Sequence, residues 1–207
     1  DNSIPSKVAE ALGIPLIEPE MILEGGSIDV NGNQSLITTE QCMLNTNRNP
    51  NLDKQEIESR LSDFMGVKNI TWLGNGIKGD DTDGHVDNIS RFVSKNTVVT
   101  AAESNISDPN HEILKSNRNV LKKKFNIIEL PMPRKIEYQG QRLPASYANF
   151  YICNSHIIVP TYRDTNDDRA IETLKDMFPK RKVTGLDSIE LIWGLGSFHC
   201  LTQQQPF

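Results

Sequence analysis

Short runs of apolar and β-branched residues alternate along this chain with stretches whose apolar residues fall three and four apart. Residues 27–30 read as a brief strand, Asn31-Gly32-Asn33 as a hairpin turn, and residues 35–39 as a second strand. Asn51-Leu52-Asp53 predicts the cap of a helix that carries Ile57, Leu61, Phe64 and Met65 at helical spacing. Gly66 stands where a left-handed residue closes a helix, and residues 69–73 predict a third strand. The order is strand, strand, helix, strand.

That order recurs twice. Residues 89–93 and 97–101 pair across Ser94-Lys95-Asn96, a helix over 110–124 carries Ile113, Leu114, Val120 and Leu121, and a strand over 125–130 stops at Pro131. A third copy has strands at 149–153 and 157–160, a helix over 165–178 with Ala170, Ile171, Leu174 and Phe178 on one face, and a strand at 182–186. The first strands begin near residues 27, 88 and 149, a period of about 61. The pattern predicts one α/β domain with repeat units at about 24–74, 84–131 and 145–187, followed by a closing segment over 188–207. Three such units can pack around a common axis as blades, each burying helix against sheet.

The unusual residues gather just ahead of each first strand. The first unit has Glu24-Gly25-Gly26 there, and the second has Asp80-Asp81-Thr82-Asp83-Gly84-His85-Val86-Asp87-Asn88. The third has Ala145-Ser146-Tyr147-Ala148-Asn149, and Gly194-Leu195-Gly196-Ser197-Phe198-His199-Cys200 fills the equivalent slot after it. Around an axis these loops converge and bring Glu24, His85, Asp87 and Cys200 together. The glycines beside them permit close backbone approach.

Composition narrows the setting. The chain has 207 residues, 37% of them hydrophobic and 24% charged, enough for a sizeable globular core. A net charge of −5 excludes broad electrostatic affinity for nucleic acid or an anionic membrane, and it suits a small cationic substrate. No apolar run reaches the ~20 residues that span a bilayer. Residues 1–15 lack a basic segment followed by a hydrophobic stretch, so no signal peptide is expected. Cys42, Cys153 and Cys200 are widely spaced with no Cys-x-x-Cys pair, which argues for a reducing, cytoplasmic location.

A thiol, an imidazole and two carboxylates form a set suited to covalent catalysis. Cys200 is the candidate thiolate nucleophile and His85 the proton shuttle. Glu24 and Asp87 can hold a planar cation bidentately, with a guanidinium the best geometric match, and that cation itself favours the thiolate. The reaction implied is attack on the guanidinium carbon, loss of ammonia and hydrolysis of the adduct. A thiolate–imidazolium pair predicts a bell-shaped pH profile near neutrality. Other readings fit less well. A calcium loop over Asp80–Gly84 would put Gly79 and Ser90 in its first and twelfth ligand slots. The cysteines and histidines lack zinc-ligand spacing, and Cys200 lacks the papain-type signature. Trp72 and Trp193 are expected in the core.

These residues carry a resemblance. Glu24-Gly25-Gly26-Ser27, the run Asn45-x-Asn47-Arg48-Asn49-Pro50, Gly79 through Asn88, and His199-Cys200-Leu201-Thr202-Gln203-Gln204-Gln205-Pro206 resemble the agmatine deiminases and the wider bacterial peptidylarginine-deiminase-type family, within the guanidino-modifying pentein superfamily. The likeness runs in order through nearly the whole chain. It implies a pentein-type five-bladed α/β propeller of strand-strand-helix-strand units, with about three blades present here, the C-terminal three fifths of a family member. It also implies Cys200 as nucleophile, His85 as general acid/base, Glu24 and Asp87 as substrate-engaging carboxylates, and no cofactor or metal. The implied reaction is hydrolysis of agmatine to N-carbamoylputrescine and ammonia, a route to putrescine. Asp81, in the loop leading to His85, is a candidate to meet the distal ammonium of such a substrate. Peptidyl-arginine as substrate, and a catalytically silent fragment, stay open as alternatives. The remaining blades would come from a longer chain, a homo-oligomer or a complementing N-terminal chain. Two positions depart from the family pattern: Leu195 interrupts a turn that usually reads as consecutive glycines, and Asp29 stands where many relatives carry His.

Overall fold

The computed structural model describes residues 3–205, so Pro206 and the end of the 188–207 segment lie outside the described residues. Helix α1 (Ile4–Leu12) closes on Gly13 in the left-handed conformation. The first unit follows as β1 (Ile28–Val30), β2 (Ser35–Thr39), the short α2 (Glu40–Met43), α3 (Lys54–Met65) and β3 (Asn69–Leu73). The second comprises β4 (Ser90–Phe92), β5 (Thr97–Ala102), α4 (Asn110–Leu121) and β6 (Asn126–Pro131). A hairpin, β7 (Glu137–Tyr138) with β8 (Gln141–Arg142), precedes the third unit of β9 (Tyr151–Ile152), β10 (His156–Thr161), α5 (Asp167–Met177) and β11 (Lys182–Asp187). The fold is mixed α/β. Among the described residues no helix is long and apolar enough to cross a membrane.

The three-stranded sheets of the three units share one design. The second strand is central, antiparallel to the first and parallel to the third. A parallel pair needs a crossover, and the helix supplies it. In the first unit Asp53 caps α3 by accepting from Glu56 N, while the Glu56 side chain accepts from Asp53 N. Ile57 and Leu61 then face the sheet, and Gly66 ends the helix at φ 65°.

Successive units share their cores. Ile37 and Leu73 of the first pack with Val98, Leu114 and Leu121 of the second. Val99 and Leu130 of the second pack with Ile157, Val159 and Leu174 of the third. Helix α4 accordingly rests on β3 as well as β5, and α5 on β6 as well as β11. One buried ion pair fastens all three. Arg91 on β4 donates through Nε to Asp29 Oδ1 of β1 at 2.6 Å and through Nη1 to the Phe150 carbonyl at 2.9 Å, while Phe92 N donates to Asp29 Oδ2. The acid at position 29 is thus the counter-charge of Arg91.

Several expectations need correction. Pro131 does not stop its strand but ends it, opposite Ala102, and Pro160 lies inside central β10. The missing N–H costs nothing there, because β9 pairs with only Ile157 and Ile158 and has ended before Pro160. Strand β9 is shorter than 149–153 because Asn149 and the Phe150 carbonyl are bonded elsewhere. Helix α4 stops at Leu121, three residues before the expected 124. Trp193 is not core: it is half exposed and stacks on Tyr138 of the β7–β8 hairpin, ring centroids 4.5 Å apart. Trp72 is partly buried on β3, its indole N–H donating to Glu58 Oε1.

Candidate active site

Two 3-10 turns present the acidic and basic groups. Glu24 stands immediately before the turn Gly25–Ser27, His85 immediately before Val86–Asn88, and the turns pack against each other. The loop into His85 is fastened by Asp80, whose carboxylate accepts from Thr82 N at 2.9 Å and His85 N at 3.0 Å. Gly84 adopts φ 91° against Gly76, and Thr39 Oγ1 donates to the Gly84 carbonyl at 2.7 Å. Gly26 is required by its neighbours. A β-carbon there would lie 2.5 Å from His85 Nδ1 and 2.8 Å from Asp87 Oδ2, so the missing side chain is what lets these two groups sit over the first turn.

The Cys200 segment is held by Asn149. Its Oδ1 accepts from His199 N at 3.0 Å and Cys200 N at 3.3 Å, and its Nδ2 donates to Cys200 Sγ at 3.0 Å and to Asn88 Oδ1 at 3.0 Å. The turn before it is reached through Leu195 at φ 64°, and Ser197 is tied to Ser188 by a 2.7 Å hydroxyl contact. Leu195 accepts this left-handed backbone at a modest conformational cost.

Asp87 joins the two halves. It is fully buried, and its Oδ2 accepts from His199 Nδ1 at 2.7 Å and from Cys200 Sγ at 3.4 Å. Because an ionised carboxylate only accepts, Nδ1 of His199 carries the proton. The other oxygen, Asp87 Oδ1, is buried with no partner among the described residues. Across the cluster, Glu24 Oε1 lies 3.5 Å from His85 Nε2, a charge contact too long to be a good hydrogen bond. Both Glu24 oxygens accept from Arg48 Nε, at 2.7 and 2.9 Å, and Arg48 also reaches Asp83 Oδ2 and the Thr82 carbonyl. Cys42, fully buried on α2, brings its sulfur within 4.8 Å of the Glu24 and His85 donor atoms.

These surroundings set the charge states. Burial alone would lower the His85 pKa, but Cys42, Glu24 and the charge of Asp87 outweigh it and raise it to about 10. Burial pushes the Cys200 thiol up to about 12, and the charge of Asp87 adds to the shift. Burial would likewise raise Glu24, yet His85 and Arg48 hold its carboxyl below the ordinary value. These directions make the resting pair a neutral thiol and an imidazolium, a resting state that the sequence leaves open.

Glu24, His85, Asp87 and Cys200 are thus gathered from the first two units and the closing segment, with Asn149 of the third unit holding Cys200. Asp81 stands exposed on the loop and takes no part in these contacts; Asp80 and Asp83 carry them. Within the cluster Asp87 and His85 are buried, while Cys200 reaches the surface. Sequence reasoning missed the roles of Arg48, Asn149, His199 and Cys42. The signal for Asn149 was the period itself: Asn88 and Asn149 are repeat equivalents 61 residues apart, and they touch.

A Mycoplasma capricolum protein provisionally named agmatine deiminase is 39% identical over 230 residues, covering 100% of this chain and 63% of that protein. A cysteine-to-serine variant of the C. jejuni agmatine deiminase, solved with substrate bound, is 39% identical with TM-score 0.92, covering 96% of this chain and 61% of that one. The agmatine deiminase of Enterococcus faecalis is 32% identical with TM-score 0.92, covering 99% and 63% respectively. The chain therefore spans about three fifths of the length of these relatives. The model of the Porphyromonas-type peptidyl-arginine deiminases matches residues 1–206, from before the Glu24 loop to beyond Cys200. With its four loops converging as they do, the chain belongs to that family.

Proposed function

We propose that the full-length protein hydrolyses the guanidino group of agmatine, giving N-carbamoylputrescine and ammonia, through a covalent adduct on Cys200. The observation that carries this reading is Asp87: a fully buried carboxylate with one oxygen lacking a donor, beside the Cys200 sulfur. A buried unpaired carboxylate oxygen is costly, and a guanidinium N–H pair would satisfy it. Glu24 would engage the other edge of the cation. The names of the relatives support the choice of agmatine.

The steps follow from the charge states. The arriving cation neutralises Asp87, which removes the main charge opposing ionisation of Cys200, and the thiol proton leaves to solvent. The sulfur attacks the guanidinium carbon, forming the C–S bond. The His85 imidazolium protonates the departing nitrogen, the C–N bond breaks, and ammonia leaves. Neutral His85 then takes a proton from water, whose oxygen attacks the same carbon; the C–S bond breaks, the carbamoyl product gives up its hydroxyl proton to solvent, and the released thiolate regains the proton it lost. Asp81 would receive the distal ammonium. We further place the three units as three blades of a five-bladed pentein propeller, in a cytoplasmic protein.

The test compares ammonia and carbamoyl product from agmatine, free arginine and an arginyl peptide, using full-length protein. The expected result is the highest kcat/KM on agmatine, abolished in Cys200→Ala. Preference for the peptide overturns the choice of substrate, and no turnover by folded protein overturns the enzyme reading.

A further inference from the structure

We propose that Glu24, Cys42 and His85 form an inhibitory binding site for a thiophilic divalent cation of the zinc type, built on the proton-transfer residue itself. The three donors come from different elements: Cys42 from α2, and Glu24 and His85 from the residues preceding the two packed turns. One ligand atom from each lies within 4.8 Å of the others, and the Glu24–His85 pair is already at 3.5 Å. Tetrahedral zinc, with bonds of about 2.0–2.3 Å, needs donors roughly 3.3–3.8 Å apart, so closure takes only small side-chain shifts.

A second observation points to a ligand. His85 is 7% exposed, and its Nε2, the atom facing Glu24, is buried with no hydrogen-bond partner among the described residues. A ring nitrogen that the protein leaves without a partner, beside a buried sulfur and a carboxylate, gives once deprotonated the donor set that selects zinc over magnesium or calcium. Arg48 is the competing cation at Glu24. Its Nε shares both carboxylate oxygens, leaving each a lone pair, and its charge is answered as well by Asp83. Three protein donors leave a fourth position for water. The donors sit far apart in the sequence, so no ligand spacing announces them.

Coordination replaces one proton on the Cys42 sulfur and one on His85 Nε2, both released to solvent. With Nε2 occupied and Glu24 neutralised, His85 can neither give nor take a proton. Inhibition rests on the function proposed above; binding does not. Cys42 has no step in the reaction, so it marks the metal site alone.

The probe is Co²⁺, then Zn²⁺, added to full-length protein. One Co²⁺ per chain with a sulfur-to-cobalt charge-transfer band is expected, displaced by Zn²⁺, retained in Cys200→Ala and absent in Cys42→Ser. A band that survives Cys42→Ser, or vanishes in Cys200→Ala, overturns the site. Should Cys42→Ser fail to fold, zinc-edge X-ray absorption of Cys200→Ala decides: one sulfur near ~2.3 Å is expected, and a shell of only nitrogen and oxygen overturns it. Agmatine turnover is expected to fall tenfold or more with bound Zn²⁺ and to return on chelation. Stoichiometric binding through Cys42 without that fall overturns the inhibitory role. Absence of turnover before metal is added counts against the proposed function, and the spectra still report on the site.

Discussion

Asn149 makes four polar contacts with its side chain, two of them to Cys200 and one to the backbone of His199. Its loss frees the nucleophile to move, and displacement of a reacting group by about 1 Å can cost ~10²-fold in rate. Asn149→Ala is therefore expected to lower kcat on agmatine by about that factor with KM little changed, in steady-state assays. The charge states yield a second expectation. The reactive form of the Cys200–His85 pair holds one proton fewer than the resting form. The resting pair loses its first proton near 10 and its second near 12. So kcat/KM should climb with pH through neutrality and peak in the alkaline range, in contrast to a bell centred near 7. Bound cation lowers the thiol, so the acid limb of kcat should lie at lower pH than that of kcat/KM. Rate profiles between pH 6 and 11 check both.

At the scale of elements, the helices and central strands were legible because caps, glycine stops and apolar spacing agree. Asp53 and Gly66 bound α3 as their chemistry requires. The β7–β8 hairpin was not legible, since two-residue strands carry no period. Helix α1 does show Ile4, Val8 and Leu12 four apart, and all three are exposed in the fold. In the site, the loops rich in glycine and acid stood out. Asn149 did not, because an asparagine before a strand looks like any turn residue. The loop into His85 depends on a glycine pair. A β-carbon on Gly76 would fall 2.2 Å from Gly84 Cα, and backbone atoms have no rotamer by which to yield. Gly76→Ala is expected to destabilise the protein by about 1–3 kcal/mol or more, seen as a lower urea midpoint, and to cut turnover by displacing His85.

For the molecule as a whole, stability is coupled to the same titrations. His85 has a folded pKa raised to about 10 from its ordinary 6.5, so its contribution is complete below 6.5 and is lost as pH rises through about 10. Cys200, raised from 9.0 to about 12, acts in the same direction at higher pH. Urea midpoints should fall between pH 6.5 and 10.5, and less steeply in His85→Gln.

The junction at Arg91 ties the fates of the units to one another. Its partners lie on β1 and next to β9, so loosening either neighbour strands a positive charge in the interior. Removing one member of such a pair typically costs 3–5 kcal/mol, and Asp29→Ala should lose about that much. Amide hydrogens of β1, β4 and the Phe150 region should then exchange through a single shared opening, and in Asp29→Ala through separate, easier ones. What looks like a chain of three modules would in that case melt as one.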